Sequence, residues 1–552
     1  MNEMKRGLAV ALGAGLAFAA QADFEIAIDP DARPMRDVRT STCGPMIGYA
    51  GCLCNDGGED AWLTPENRDE TSRTLRAAGA WFQRMWGANR WFARRVPNPD
   101  PSNKKYRQSH PDLWFKFWKD NGFKVLFTLE LRDGGIEEFV QWIVDNGYKD
   151  VVAGFELGNE TYYSPLYPSL ASKWTEVVNR LVKIWPGIKL GINVAELFEL
   201  NPDIAQVRGR MMAAGEIKRD TYFAAADFNR YSAQFIVGMS NCIDKITHVI
   251  YHAYGAETPY SCSYYGFQRF RNFTKAFPEL KGKKYWLSEI RPRSDEDNRC
   301  QRIFREALIS AHYGLMCLCQ PDFDGYNHHQ FSNLSGAIFV SRGDSWDVQW
   351  RDAGGEYPDY RSANGKRRME VGPQGVVYRV LTEAIKAHPY LLSHGTSKAA
   401  NTEDTFFTSA RVTDQVYARR RAIKEGKKDC PKVDGEVEWI AATDLRKRDY
   451  CLMMVNTKPV SEKVTVKIAG RRFAAPTYRT VSCPEEFVDR RSVPGETPLW
   501  KEMAWEETEK GCEVVRMSTY KGMQPVCDTL EVTIAPHTVQ SVTFRTEALP
   551  KK

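Results

Sequence analysis

The chain has 552 residues, 43% of them apolar and 12% aromatic, with a net charge of +6. That length allows a large buried core and more than one domain. Its 76 basic residues are scattered among 70 acids, which argues against a nucleic-acid footprint, and past the N-terminal segment no apolar run is long enough to span a bilayer.

At the N-terminus, Lys5 and Arg6 precede an apolar stretch from Gly7 to Ala20, and Ala20-Gln21-Ala22 has the small-x-small form of a cleavage site. Residues 1–22 therefore read as a signal peptide, which predicts an exported protein, periplasmic or extracellular. Residues 23–39 follow, and Asp23–Asp29 alternates apolar and acidic residues as a strand does.

From about residue 40 to 390, strand-like runs alternate with helical patterns. The predicted strands are Pro45–Cys52, Ala80–Trp86, Lys124–Leu131, Val151–Leu157, Lys189–Val194, Ile246–Tyr254, Lys284–Glu289 and Gly325–Gln330. Helical patterns between them include Asn67–Ala78, Pro111–Asn121, Ile136–Asn146, Ser169–Trp185, Asp227–Asp244, Phe267–Phe277 and Asn298–Gly314, with Pro373–His388 after the last strand. Strands separated by helices argue for a parallel sheet, and eight of them for a closed (β/α)8 TIM barrel. A doubly wound open sheet is the alternative, but no Gly-rich phosphate loop follows the first strand. Residues 391–552 hold short β-rich runs with turn residues between them, the pattern of a C-terminal β-sandwich. Ser341–Gly372 reads as a long loop after strand eight.

The 13 cysteines are an odd number, and Cys483, Cys512 and Cys527 are candidates for bridging after export. Cys52-Leu53-Cys54 and Cys317-Leu318-Cys319 lack a matching ligand pair, so no structural zinc is expected.

Two glutamates carry the functional argument. Glu160 closes the run Phe155-Glu156-Leu157-Gly158-Asn159-Glu160, and Glu289 closes Trp286-Leu287-Ser288-Glu289. A carboxylate at the end of an apolar strand is costly unless paired or catalytic, and that end of a barrel is where active sites are built. Two of them on different strands match glycoside hydrolysis, which needs an acid for the leaving oxygen and a base or nucleophile at the sugar carbon.

The first run resembles the strand-four motif of the retaining glycosidases of clan A. Its Gly-Asn-Glu form is similar to the α-L-arabinofuranosidase and heparanase-like β-glucuronidase branches. Trp286-Leu287-Ser288-Glu289 resembles the strand-seven nucleophile motif, and Tyr251-His252-Ala253-Tyr254 the strand-six His-x-Tyr pattern. The resemblance covers roughly residues 40–390. It implies Glu160 as acid/base and Glu289 as nucleophile, with no cofactor and no metal. Arg84 would hold Glu289 ionised, Tyr254 would hydrogen-bond it, and His252 would contact the sugar or the acid/base. Asn159 would bind the sugar 2-hydroxyl. Ile290-Arg291-Pro292 departs from the pattern, since clan members often have an aromatic or small residue after the nucleophile.

Ordinary ion pairs are the competing readings: Arg84 with Glu160, and Glu289 with Arg291 or Arg293. Glu156 sits earlier on its strand and is left out of the site. In Asn327-His328-His329-Gln330, adjacent histidines point to opposite faces and do not chelate one ion well. A sugar contact is expected of one, taken as His328. Trp86, Trp91, Trp346 and Trp350 are subsite candidates, Trp86 foremost. The basic residues Arg90, Arg94, Arg95, Arg291 and Arg293 favour an anionic glycan, uronic or sulfated. The expected partner is therefore a carbohydrate. A non-hydrolytic carbohydrate-binding protein and a transglycosylase stand as alternatives, and the sequence does not give the oligomeric state.

Overall fold

The structure is a computed structural model. It describes residues 24–44, 47–53, 60–93 (except 64 and 66), 111–163, 166–194, 232–254, 277–291, 304–329, 338–340, 369–397, 436–474, 476–483, 488, 516–522 and 526–548.

Strands β1 (Phe24–Ile28) and β2 (Arg36–Asp37) precede eight parallel strands: β3 (Ile47–Ala50), β4 (Phe82–Met85), β5 (Lys124–Leu129), β6 (Val152–Leu157), β7 (Leu190–Asn193), β8 (His248–Tyr254), β9 (Lys284–Arg291) and β10 (Phe323–His329). These close into a barrel in chain order, β10 pairing back onto β3. The expected strands therefore form the expected barrel. Around it lie α1 (Arg68–Ala77), α2 (Ala88–Ala93), α3 (Pro111–Asn121), α4 (Ile136–Asp145), α5 (Ala171–Ile184), α6 (Phe304–Leu318) and α7 (Pro373–Ala387). Their sequences explain them. In α4 the buried residues Ile136, Phe139, Val140 and Ile143 recur at helical spacing, with Glu137 and Glu138 in the first turn. Pro186 and Gly187 stop α5, and Pro373 opens α7 at a position that needs no N–H. The helical pattern Phe267–Phe277 and most of the loop Ser341–Gly372 lie outside the described residues.

The barrel interior is layered. Its middle is filled by Phe82, Leu126, Ala153, Ile250 and Trp286, with Cys43. Trp286 fits because glycines face it: a Cβ on Gly154 would lie 2.2 Å from Trp286 Cη2, and those on Gly191 and Gly325 would lie 3.0 and 3.2 Å from its ring. At the N-terminal end of the strands the His248 ring stacks on Trp286, with centroids 3.7 Å apart, and its Nε2 lies 2.9 Å from Asp324 Oδ2. Thr42 Oγ1 donates to the same oxygen at 2.6 Å, and Lys284 Nζ is 3.7 Å from Oδ1. At the C-terminal end the interior turns polar, with Arg84, Thr128, Glu156, Asn193, His252 and Glu289 all buried.

After the short pair β11 (Ile338–Val340) and β12 (Met369–Val371) come β13 (Tyr390–Thr396), β14 (Val437–Thr443), β15 (Asp449–Asn456), β16 (Glu462–Ile468), β17 (Arg471–Phe473), β18 (Thr477–Ser482), β19 (Arg516–Lys521), β20 (Thr529–Ile534) and β21 (Thr538–Ala548). An eight-stranded sheet runs β19-β18-β21-β15-β14-β13-β2, with β17 on β21, and a smaller sheet runs β1-β16-β20. The two share an apolar cluster that includes Ile26, Val466 and Val532 with Trp439, Leu452 and Phe544. The larger sheet's other face, with Ile440, Met453 and Val539, joins the core of the barrel and its helices. His312 of α6 and Glu438 of β14 form a buried pair across that junction. β1 joins the smaller sheet parallel to β16, whereas β2 joins the larger one beside β13.

Burial opposes ionisation of Asp324. The hydrogen bond and charge of His248, the Thr42 hydroxyl and the Lys284 ammonium outweigh it and hold the carboxyl to about 2. Burial likewise pushes His248 below its ordinary value. Each group binds fewer protons folded than unfolded, so stability falls as pH drops below the ordinary histidine value, then again from the ordinary Asp value of 3.8 towards about 2. Asp324→Asn is expected to lose roughly 2 kcal/mol at pH 7 and to flatten the acid limb of a stability–pH curve below pH ~4. Urea unfolding across pH checks this, and an acid limb of unchanged slope contradicts it.

Candidate active site

The polar end of the barrel is organised by Arg84, the third residue of β4, which is 2% exposed. Its Nε and Nη2 donate to Glu156 Oε2 at 2.8 and 2.5 Å, its Nη1 to Glu289 Oε1 at 2.5 Å, and its Nη2 also to Asn159 Oδ1 at 2.6 Å. Thr128 Oγ1 donates to the same Glu156 oxygen at 2.8 Å. The planar, permanently charged fork thus ties residues on β4, β6 and β9 together. Arg84 meets Glu289 and not Glu160, so the competing Arg84–Glu160 ion pair is not what forms.

Glu160 owes its position to a tight turn after β6. Gly158 has φ +85°, and a Cβ there would lie 2.5 Å from Thr161 Cγ2, so only glycine fits. Glu160 itself takes φ +47°, left-handed backbone for a non-glycine residue, which costs on the order of 1–3 kcal/mol. Asn193 Nδ2 donates to the Gly158 carbonyl at 2.6 Å and holds the turn. On the opposite wall the register between β8 and β9 shifts between Tyr251 and His252, so Ser288 is an extra residue on β9. That bulge re-aims the end of the strand. His252 then faces Ser288 and both carboxylates: its Nε2 is 2.9 Å from Ser288 Oγ, and its Nδ1 is 3.0 Å from Glu160 Oε1 and 3.6 Å from Glu289 Oε2. One oxygen of each glutamate and His252 Nδ1 lie within 4.8 Å of one another. Two carboxylates and an imidazole at that spacing are also a donor set of the size a divalent cation takes.

The other expected residues divide. His328 is corrected. Its ring is buried between Tyr49 and Tyr378, with Nδ1 3.5 Å from Ser310 Oγ of α6, so it faces the helical layer. His329 faces the mouth instead, its Nε2 4.0 Å from Glu289 Oε2. Trp86 lies at the rim, 39% exposed, and its Nε1 donates to Glu130 Oε1 at 3.1 Å. Trp91 is core, packed against Phe115 and Trp118. Arg90 is engaged by Asp133 at 3.4 Å. Tyr254 and Arg291 end their strands with side chains outside the described residues, where Arg94, Arg95, Arg293, Trp346, Trp350 and Cys512 also lie. Two residues were missed. Glu156, left out above, is fully buried and anchors Arg84, and Glu130 stands beside β5. Both carry the signal that found the catalytic candidates, a carboxylate on or just past an apolar strand.

No protein-family model and no curated protein matches the chain. Solved structures do. An α-L-arabinofuranosidase from Thermotoga maritima superposes with a TM-score of 0.54 at 13% identity, covering 94% of this chain and 99% of that one. A family 51 α-L-arabinofuranosidase from Bifidobacterium longum gives 0.56, again at 13% identity and with the same coverage. The family 51 enzyme from Thermotoga petrophila gives 0.54 at 13%. The architecture is thus shared along almost the whole length with glycoside hydrolases of the branch that the Gly-Asn-Glu turn resembles.

Glu156→Leu would leave the buried Arg84 guanidinium short of a countercharge, and a loss of about 3 kcal/mol is expected by urea unfolding. A change within about 0.5 kcal/mol would mean that Glu289 and Asn159 alone suffice to hold the arginine.

Proposed function

We propose that the chain is a retaining glycoside hydrolase acting on an oligosaccharide or polysaccharide. The observation that carries this is the approach of Glu160 and Glu289 to within 4.8 Å, with Arg84 on one of them and His252 between. Double displacement needs carboxyl groups about 5–5.5 Å apart, whereas inversion leaves room for a water at roughly 6.5–9.5 Å. Glu289, charge-paired with Arg84, attacks the anomeric carbon. Glu160, which no arginine neutralises among the described contacts, gives its proton to the leaving oxygen. It then takes one from water as the glycosyl-enzyme bond breaks. Asn159, its Oδ1 already held by Arg84, keeps its amide N–H for the sugar 2-hydroxyl.

The same reading assigns residues 1–22 to an export signal, 40–390 to the catalytic barrel, and 391–552 with strand 23–39 to a β-sandwich. Tyr254 is assigned to Glu289, as its place at the end of β8 supports. The solved neighbours named as arabinofuranosidases make α-L-arabinofuranosides the first substrates to try. An anionic glycan draws no support from Arg90, which Asp133 engages. Among the described residues no helix is long and apolar enough to cross a membrane.

Glycan hydrolysis by wild type, Glu160→Gln and Glu289→Gln tests the assignment. Each variant is expected to lose about 10²-fold or more, and azide is expected to restore Glu160→Gln on an aryl glycoside whose leaving group needs no proton, by replacing water at the second step. Activity that survives either change contradicts the pair. Binding without turnover in the wild type turns the reading to a carbohydrate-binding protein, and transfer to an acceptor sugar to a transglycosylase.

A further inference from the structure

A third carboxylate, that of Glu130, lies beside the same mouth at 9% exposure and takes no part in the chemistry above. Leu126 and Thr128 of β5 point inward, and Glu130, next in that alternation, does too. The side chain of Asn89 fixes its backbone, accepting from the Glu130 N–H at 2.8 Å and donating to the Glu130 carbonyl at 2.9 Å. Its Oε1 accepts the Trp86 Nε1–H at 3.1 Å, and the backbone N–H of Asn159 also donates to its carboxyl. Glu130 therefore joins the rim to the turn that carries Glu160.

Trp86 is the most exposed tryptophan among the described residues. A large ring left 39% exposed at the rim is unusual, and here its polar edge is tied down by Glu130. Of the described charges around the mouth, Arg84 is already engaged by Glu156 and Glu289, and Arg132, whose charge acts on Glu130, lies 3.9 Å from Asp133.

We propose that Trp86 and Glu130 form a subsite for a neutral glycosyl unit. The exposed indole lies under the C–H face of the sugar, and the Glu130 carboxylate accepts from its hydroxyls. The carboxylate also repels a uronic acid at this position, so it is a specificity determinant. This rests on the mouth being the glycan site of the hydrolase proposed above, and it replaces the anionic preference expected from the sequence with a neutral one.

The test is equilibrium binding to the full-length protein carrying Glu160→Gln, so that the probe is not consumed, read by titration calorimetry. The probes are neutral oligosaccharides of arabinose, xylose, glucose or galactose, set against oligogalacturonides of equal length. The expected result is that a neutral series binds at least about tenfold tighter than the uronic one. Trp86→Ala is expected to weaken that binding by about tenfold, and Trp86→Phe by less. Glu130→Gln, which keeps size and an acceptor but removes the charge, is expected to narrow the neutral-to-uronic ratio by about fivefold. Tighter uronic binding, ratios untouched by both variants, or no binding of any glycan would overturn the proposal. Because no turnover is read, neutral binding through Trp86 without hydrolysis would sink the hydrolase reading and spare this one. Hydrolysis indifferent to Trp86 and Glu130 would do the reverse.

Discussion

One buried guanidinium organises the working end of this protein. Arg84 carries a single positive charge among oxygen partners that include two carboxylates and the Asn159 amide, at a depth where water reaches little of it. A buried charge is tolerated only when its partners are fixed, and here they come from separate strands. The barrel must therefore close in register for Arg84 to be satisfied. Its satisfaction in turn fixes where Glu289 points, and it orients the amide of Asn159, next to Glu160.

Beneath that polar layer the barrel is plugged. Trp286 occupies the axis because Gly154, Gly191 and Gly325 leave room for its ring, and His248 stacks on its far side. The glycines and the tryptophan are thus one packing decision written on four strands. A close-packed plug gives the carboxylates above it a floor of low compressibility. The bulge at Ser288 and the left-handed turn at Glu160 are local irregularities at the mouth, and each aims one of the two carboxylates.

Much of the barrel was legible because its signals are local. The apolar runs ended within a few residues of the observed strands, and amphipathic helices such as α4 announced themselves by spacing. What stayed hidden depends on reach and register. Glu156 was set aside as too deep, but the long arm of Arg84 extends down to it. His328 was preferred to His329, although strand parity says only that the two point opposite ways. The register between β9 and β10 shifts before His328, so counting along the strand does not say which one faces in. β2 is too short to leave a pattern, and its pairing with β13 is set by the chain around it. Glu130 carries the same signal as its neighbours, but its meaning depends on Trp86, which only the folded barrel brings beside it.

The central claim is that Glu289 becomes covalently bonded to the sugar. The most direct measurement is trapping with an activated 2-deoxy-2-fluoro glycoside of whichever sugar the enzyme turns over, followed by intact-mass and peptide mass spectrometry. The account predicts one added glycosyl unit on the peptide carrying Glu289 and none in Glu289→Gln. A label on Glu160, Glu156 or Glu130, or turnover with inverted anomeric configuration and no label, would contradict it.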